Sequence, residues 1–214
     1  MKYRFAKLKD TAKIVDLHYA VRKNYPIGVF SSLDKNFLKC YYKILLNDVN
    51  SIIVCAEDSG GEILGFCSAN LDVEKQLLNF KKNKFRIALS ALSSIIKRPS
   101  VLKAFFSRFR SIEDGKKQFV SKSGARLEYW VWSKKSNNTT SSLYMHEVLL
   151  NIIKDLGVQE INFEVDSINR KVMKFHKLNG AIINKKIILE DNRERVLMKY
   201  VFSNREQKVK LNIL

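Results

Sequence analysis

The stretch VDSINRKVMKFHKLNGA, residues 165–181, decides how this chain is read. It leaves a strand over residues 160–166 (EINFEVD) and enters a short helix over 169–179 (NRKVMKFHKLN), which Gly180 closes. Upstream lies an amphipathic helix carrying Leu143, Met145, Val148, Leu149, Ile152, Ile153 and Leu156, and Gly157 stops it. A polar loop, 133–142, precedes that helix, and a strand over 126–132 (RLEYWVW) precedes the loop. Strand, helix and strand in succession imply a parallel pair joined by a crossover helix.

Outward from this unit, residues 181–189 and 195–202 form a hairpin around Asp191-Asn192. Residues 51–56 and 62–71 flank Gly60-Gly61 and form another. At the start, YRFAKL (3–8) alternates like a strand and runs into Asp10, an expected N-cap. The next helix places Ile14, Leu17, His18 and Val21 on one face. Ser31 or Ser32 is expected to cap a second helix, in which Leu33, Phe37, Tyr41 and Leu45 recur every four residues. Residues 73–125 differ in character. They hold 13 Lys and Arg against 3 Asp and Glu, so +10 of the chain's net +18 sits there, interleaved with apolar runs. Two or three basic amphipathic helices inserted between strands are expected, with Phe80, Phe85, Phe105 and Phe106 buried.

The 214 residues, 46% hydrophobic and 28% charged, suit one globular domain spanning 1–214. Met1-Lys2-Tyr3-Arg4 leads into no apolar run of leader or membrane-span type, so a cytoplasmic chain is expected. Cys40, Cys55 and Cys67 are odd in number and scattered in apolar surroundings; buried free thiols are expected, with no disulfide framework. With three histidines equally scattered, no metal-ligand spacing exists and no metal is expected. P-loop, GxGxxG and serine-elbow patterns are missing. The positive excess favours anionic partners without choosing among them.

The element order and residues 165–181 resemble the GNAT superfamily of acyl-coenzyme A-dependent N-acyltransferases. Val165, Asn169, Phe175 and Leu178 sit at the spacing of that family's signature after the fifth strand, and Gly180 comes one residue late. The resemblance implies an α/β (α+β) fold: a mixed, mostly antiparallel sheet with a parallel β-α-β unit, flanking helices and, here, a helical insertion between strands 3 and 4. It also implies acetyl-coenzyme A as co-substrate. The family holds the pyrophosphate on a glycine-rich loop after the fourth strand, at a helix N-terminus. The matching loop here, SKKSNNTTSSL, has no glycine. Its Lys134, Lys135, Asn138, Thr139, Thr140, Ser141 and Ser142, with Val131 on the strand and Asn169 beyond the next, are the cofactor-binding residues the resemblance implies. Without glycine, close backbone approach is reduced, and a shifted or weaker pyrophosphate seat is expected.

For chemistry, the resemblance places His176 where the family often carries a tyrosine that protonates the leaving thiolate. Histidine titrates near neutrality and suits that role, whereas the plain alternative is a helix-surface residue beside Phe175. Tyr144 is the substitute. Glu128 is the candidate base, expected on the sheet face opposite Leu127 and Tyr129 and shared with Trp130 and Trp132, with Glu164 and Asp166 as competitors. A solvated strand-face charge is the plain alternative for each. His146 and His18 read as satisfied core histidines.

The expected activity is therefore transfer of an acetyl group from coenzyme A to a primary amine. An amino sugar of bacterial surface-polysaccharide synthesis is suggested by the insertion's resemblance to relatives in that chemistry. The insertion reads as a lid or a homodimer contact, with peripheral contact to an anionic membrane as a further use. The competing class is a GNAT-like fold without cofactor that binds nucleic acid or membrane through the insertion. Against nucleic acid stand the missing recognition motif and the expected burial of the phenylalanines.

Overall fold

The computed structural model describes residues 1–22, 33–97, 123–136, 138–188 and 193–205. In chain order the elements are β1 (Lys2–Phe5), α1 (Thr11–Val21), α2 (Lys35–Leu46), β2 (Ser51–Glu57), β3 (Ile63–Asn70), α3 (Val73–Lys82) and α4 (Lys84–Lys97). Then follow β4 (Ala125–Trp132), α5 (Thr139–Asp155), β5 (Glu160–Asp166), α6 (Arg170–Leu178), β6 (Ile182–Ile188) and β7 (Glu194–Val201). The strands form one sheet in the order β1-β2-β3-β4-β5-β7-β6, antiparallel throughout except for the parallel pair β4–β5.

Helix boundaries follow local chemistry. Gly157 and Gly180 take φ of +84° and +86° just past α5 and α6, a backbone region open to glycine at little steric cost. Asn138 caps α5, its side chain accepting from the Ser141 N–H. Two expected caps are corrected. Asp34 caps α2 by accepting from the N–H groups of Asn36 and Phe37, while Ser31 and Ser32 lie outside the described residues. Asp10 precedes α1 without capping it, because its carboxylate is held by Arg4 and by the Lys7 N–H. The Asp191-Asn192 turn, Phe105 and Phe106 also lie outside the described residues.

Two cores form, one on each sheet face. Met145, Leu149 and Ile153 of α5 pack with Ile161, Phe163 and Val165 of β5 on the first. On the other, Ile14 of α1 and Phe37, Leu38, Tyr42 and Leu45 of α2 pack with Phe66 and Val131, and Ile87 and Ala91 of α4 complete the layer. The insertion therefore begins as two helices, with α4 laid against α2. Phe85 corrects the expectation of buried insertion aromatics: it is exposed.

Backbone approach is tightest at Gly65. A Cβ there would lie 2.3 Å from Trp132 Cε3 and 2.8 Å from the Val131 carbonyl oxygen. The backbone oxygen cannot rotate away, so Gly65→Ala is expected to cost about 1–3 kcal/mol, the usual range for overpacking. Denaturant melts of the two proteins check this; equal midpoints would show that β3 and β4 part freely.

Candidate active site

β3 and β4 do not pair evenly. Cys67 lies opposite Trp130 and Ala69 opposite Leu127, so Ser68 faces two residues, Glu128 and Tyr129. This is a β-bulge, and its inserted residue shifts the alternation of side chains along the strand. Ser68 Oγ accepts from the Tyr129 N–H at 3.2 Å and so occupies the bulge. Downstream of it the expected faces are corrected. Glu128 and Tyr129 both point toward α1, α2 and α3, whereas Trp130 and Trp132 pack on the α5 face. Trp130 packs against His146 and Phe175 with tilted rings and donates from Nε1 to Ser142 Oγ at 3.0 Å.

The β4–β5 pairing is brief. It covers Ala125 with Ile161 and Arg126 with Asn162, and past these the strands have no ladder between them. From Leu127 onward β4 is thus paired on its β3 side, and a wedge opens toward β5. α5 and α6 both start at the C-terminal ends of these parallel strands, so their positive dipole ends and unpaired amides gather at the wedge mouth. Lys134, Lys135, Thr139 and Thr140 are exposed there, as is Arg170 at the first turn of α6. Asn138 Oδ1 takes the Ser141 N–H, removing one amide from those open to an anion. Ser141 and Ser142 are buried: the Ser141 carbonyl accepts from Tyr3 and the Ser142 hydroxyl serves Trp130. The Ser142 hydroxyl is therefore engaged within the protein. The Val131 side chain is buried in the α1–α2 core, and its carbonyl oxygen faces Gly65 on β3 rather than the wedge. Asn169 is half-buried at the N-cap of α6, its N–H donating to the Asp166 carbonyl. Beside the α5 start, Met1, Tyr3, Thr140, Ser141 and Tyr144 line a surface depression of about 350 Å³.

On the α2–α3 face, Glu128 is the centre of a polar cluster that stays 5% exposed at its side chain. Its Oε1 accepts from Gln76 Nε2 at 2.7 Å and from Arg126 Nη2 at 3.1 Å, and the same Arg126 nitrogen donates to Gln76 Oε1 at 2.9 Å. Glu128 Oε2 is buried without a hydrogen-bond partner, an acceptor left open in a closed setting. Burial works against the Arg126 charge, yet Glu128, Tyr41 and Glu164 together hold its pKa above the usual arginine value. The two competing carboxylates are spoken for: Arg195 bonds Glu164 at 2.8 Å and Asp166 at 2.9 Å. Gln76 and Arg126 escaped sequence reading, although both left a trace. Gln76 falls on the helical face of Val73 and Phe80, and Arg126 stands two residues before Glu128 on the same strand.

His176 sits inside the protein. It is 5% exposed, packed against Phe163 and Trp130, and its Nδ1 is 2.7 Å from the Tyr200 hydroxyl. Burial lowers its pKa to about 4, so the imidazole is neutral at neutral pH and a weak proton donor there. Burial corrects the reading of His176 as a helix-surface residue; the Tyr200 contact fastens α6 to β7. Tyr144, partly exposed and packed at a tilt against Tyr3, lies at the helix start. His18 is satisfied by the Tyr42 hydroxyl at 2.6 Å, whereas the equally buried His146 leaves Nδ1 without a partner.

Burial also holds His18 to about 4. Unfolded imidazoles take up protons near pH 6.5, and these two only near 4. Between those values the unfolded state binds more protons, so stability falls as pH drops through the window and levels off below it. Each contributes a slope of up to about 1.4 kcal/mol per pH unit. Melts from pH 7 to 4 check this, and a flat profile would show both rings open to solvent.

Cys55 and Cys67 are buried free thiols, with desolvation pushing the Cys55 thiol up to about 12, and Cys40 is half-buried. Among the described residues no cluster of His, Cys, Asp and Glu suited to a metal ion is found, and no helix is long and apolar enough to cross a membrane.

No protein family profile matches the sequence, and no curated protein matches it. Solved structures do match the fold. A ribosomal-protein-alanine N-acetyltransferase from Brucella melitensis superposes with a TM-score of 0.60 at 10% identity, covering 94% of this chain and 99% of that one. A GNAT-family acetyltransferase from Streptococcus pneumoniae gives 0.58 at 14% identity, covering 94% and 98%. A spermidine N-acetyltransferase variant from Vibrio cholerae gives 0.57 at 10% identity, covering 95% and 96%. The chain has the GNAT fold, with its mixed sheet and parallel β4–β5 pair.

Proposed function

We propose that this chain, built on the GNAT fold, is an N-acyltransferase that moves an acetyl group from acetyl-coenzyme A to a primary amine. The observation that carries this is the wedge: a parallel pair that separates after two residue pairs, with a helix N-terminus and two lysines at its mouth. An extended amide-containing chain fits beside the unladdered side of β4, because that strand edge offers main-chain groups as a new strand would use them. The pyrophosphate would be held by the Thr139 and Thr140 amides and by Lys134 and Lys135, with Asn169 across the wedge. Asn138 must yield the Ser141 N–H if that amide is to join, which is the physical form of a weaker seat. When bound, acetyl-coenzyme A supplies an activated thioester.

The chain's own part is to present an uncharged amine. Glu128 Oε2 accepts the ammonium proton, while Gln76 and Arg126 hold the other oxygen and so aim the free one. Similar folds are named for acting on a ribosomal-protein alanine and on spermidine, acceptors that share an amine and little else. An amino sugar is the acceptor class we favour, because the Gln76–Arg126–Glu128 cluster offers donors and acceptors that suit hydroxyls beside the amine. The buried thiols fit a reducing cytoplasm.

Melting the protein with and without acetyl-coenzyme A tests the reading, with ATP as a general anion control. At about 100 times its dissociation constant the ligand adds roughly 2.7 kcal/mol. For a chain of 214 residues that is about 5–10 °C. An equal shift with ATP, or none with either, would leave a GNAT fold without its cofactor, a reading that the glycine-free loop and the Asn138 cap favour.

A further inference from the structure

α4 has two opposite apolar faces, and only one is used. Ile87, Ala91 and Ser94 are buried toward α2, where Ser94 Oγ accepts from the Asp34 N–H at 2.9 Å and Ser93 bonds the Asp34 carboxylate. The helix is therefore pinned to the N-cap of α2. On its other side Phe85, Leu89, Leu92 and Ile96 are 73%, 67%, 47% and 78% exposed. Their spacing of four, three and four residues draws one straight stripe along the helix. A 14-residue helix is about 21 Å long, so the stripe runs most of that length.

Charge says what covers it. Lys84 projects on one flank of the stripe and Arg86 and Lys97 on the other, all exposed, with Lys81 and Lys82 just before. From Lys75 to Lys97 there are six basic residues and no acidic one. The Lys84 ammonium lies 5.4 Å over the Phe85 ring, where its stem covers apolar surface while its head stays in water. A second copy of this chain would bring the same basic flanks together, between molecules of net charge +18 each. Nucleic acid would use the charges but gains nothing from Leu89, Leu92 and Ile96, which cannot stack on bases as aromatic rings do. An anionic lipid surface uses both, taking the stripe among its acyl chains and the flanks among its headgroups.

We propose that α4 docks this protein on an anionic lipid surface, with Phe85, Leu89, Leu92 and Ile96 inserted and Lys84, Arg86 and Lys97 at the headgroups. The inference stands apart from the acyltransferase reading, although α3, which carries Gln76 to Glu128, leads directly into the docking helix.

Sedimentation with vesicles tests it, using mixed phosphatidylcholine and phosphatidylglycerol against pure phosphatidylcholine. The intact chain is expected to bind the mixed vesicles and to bind the neutral ones at least about tenfold more weakly. The double variant L89N/I96N should lose roughly tenfold or more, with an unchanged melting temperature because both positions are exposed. K84Q and R86Q should each lose about fivefold. Binding of L89N/I96N equal to that of the intact chain would overturn the proposal, since overall charge alone would then explain adhesion. Absence of binding to mixed vesicles would overturn it too, as would a solution dimer that L89N/I96N splits and vesicles do not compete for.

Discussion

Glu128→Gln is expected to lower kcat/KM for amine acylation by about 10²–10⁴-fold, the span that loss of a positioned acid or base commonly produces. Glutamine keeps the shape of the side chain. Its carbonyl oxygen still accepts from Gln76 and Arg126, as Oε1 does now. What disappears is the second carboxylate oxygen, Oε2, the one buried without a partner. Arg126 keeps Glu164 in its surroundings, so the remaining cation is not stranded and the fold should tolerate the change. Steady-state kinetics with acetyl-coenzyme A and a responsive amine, beside melting curves, separate the two effects. A rate within threefold of the parent would make Glu128 a structural partner of Arg126 and move the proton acceptor elsewhere. A collapse of melting temperature together with rate would make the experiment one about folding, and Gln76→Leu would then be the gentler probe. It leaves the Arg126–Glu128 pair in place while removing the donor that aims the carboxylate.

The largest stability effect is expected at the far end of the described chain. Arg205 bonds Glu147 of α5 in a pair whose side chains are 5% and 9% exposed. Its Nε also donates to the Asn179 carbonyl after α6, and its guanidinium lies 5.1 Å from the Tyr200 ring centre. One side chain thus ties the residues after β7 to both helices on that face. Arg205→Met leaves the Glu147 carboxylate buried and unpaired, an arrangement that costs about 3–5 kcal/mol. For 214 residues this is a fall of roughly 6–20 °C in Tm. The companion Glu147→Met in the same molecule should recover most of the loss, because replacing both charges with apolar groups removes the desolvation penalty along with the attraction. Calorimetry on the two single variants and the double one completes the cycle. Additive losses would show that the pair is solvated and that Arg205 matters only through its packing.

Much of the architecture was legible because its signals are local. The helix carrying Leu143 to Ile153 and its stop at Gly157, the short helix closed by Gly180, the hairpin around Gly60-Gly61 and the parallel pair implied by one crossover all appear, although that first helix starts at Thr139, inside the expected loop 133–142. Each rests on neighbours within a turn or a strand, where periodicity and backbone freedom act without help from the rest of the molecule. The site was less legible because it depends on a residue across the sheet. Period-two counting from Leu127 put Glu128 with the tryptophans, but the bulge opposite Ser68 shifts that count by one. Glu128 then joins Tyr129 before α2 and α3, and Trp130 turns to α5. No feature within RLEYWVW announces an inserted residue, since the insertion is defined by the partner strand.

Burial made the other differences. His176 and Phe85 both lie on amphipathic helices, and spacing alone names a face without saying which face meets the protein. Tyr200, more than twenty residues away, draws His176 inward, and the docking of Ile87 and Ala91 on α2 turns Phe85 outward. The sequence by itself determined the order of elements, the mixed sheet and the basic character of the insertion. Only the tertiary structure decided which carboxylate keeps an open oxygen, which histidine is sealed and which stripe faces solvent. These outcomes depend on contacts between distant segments, and no local pattern carries them.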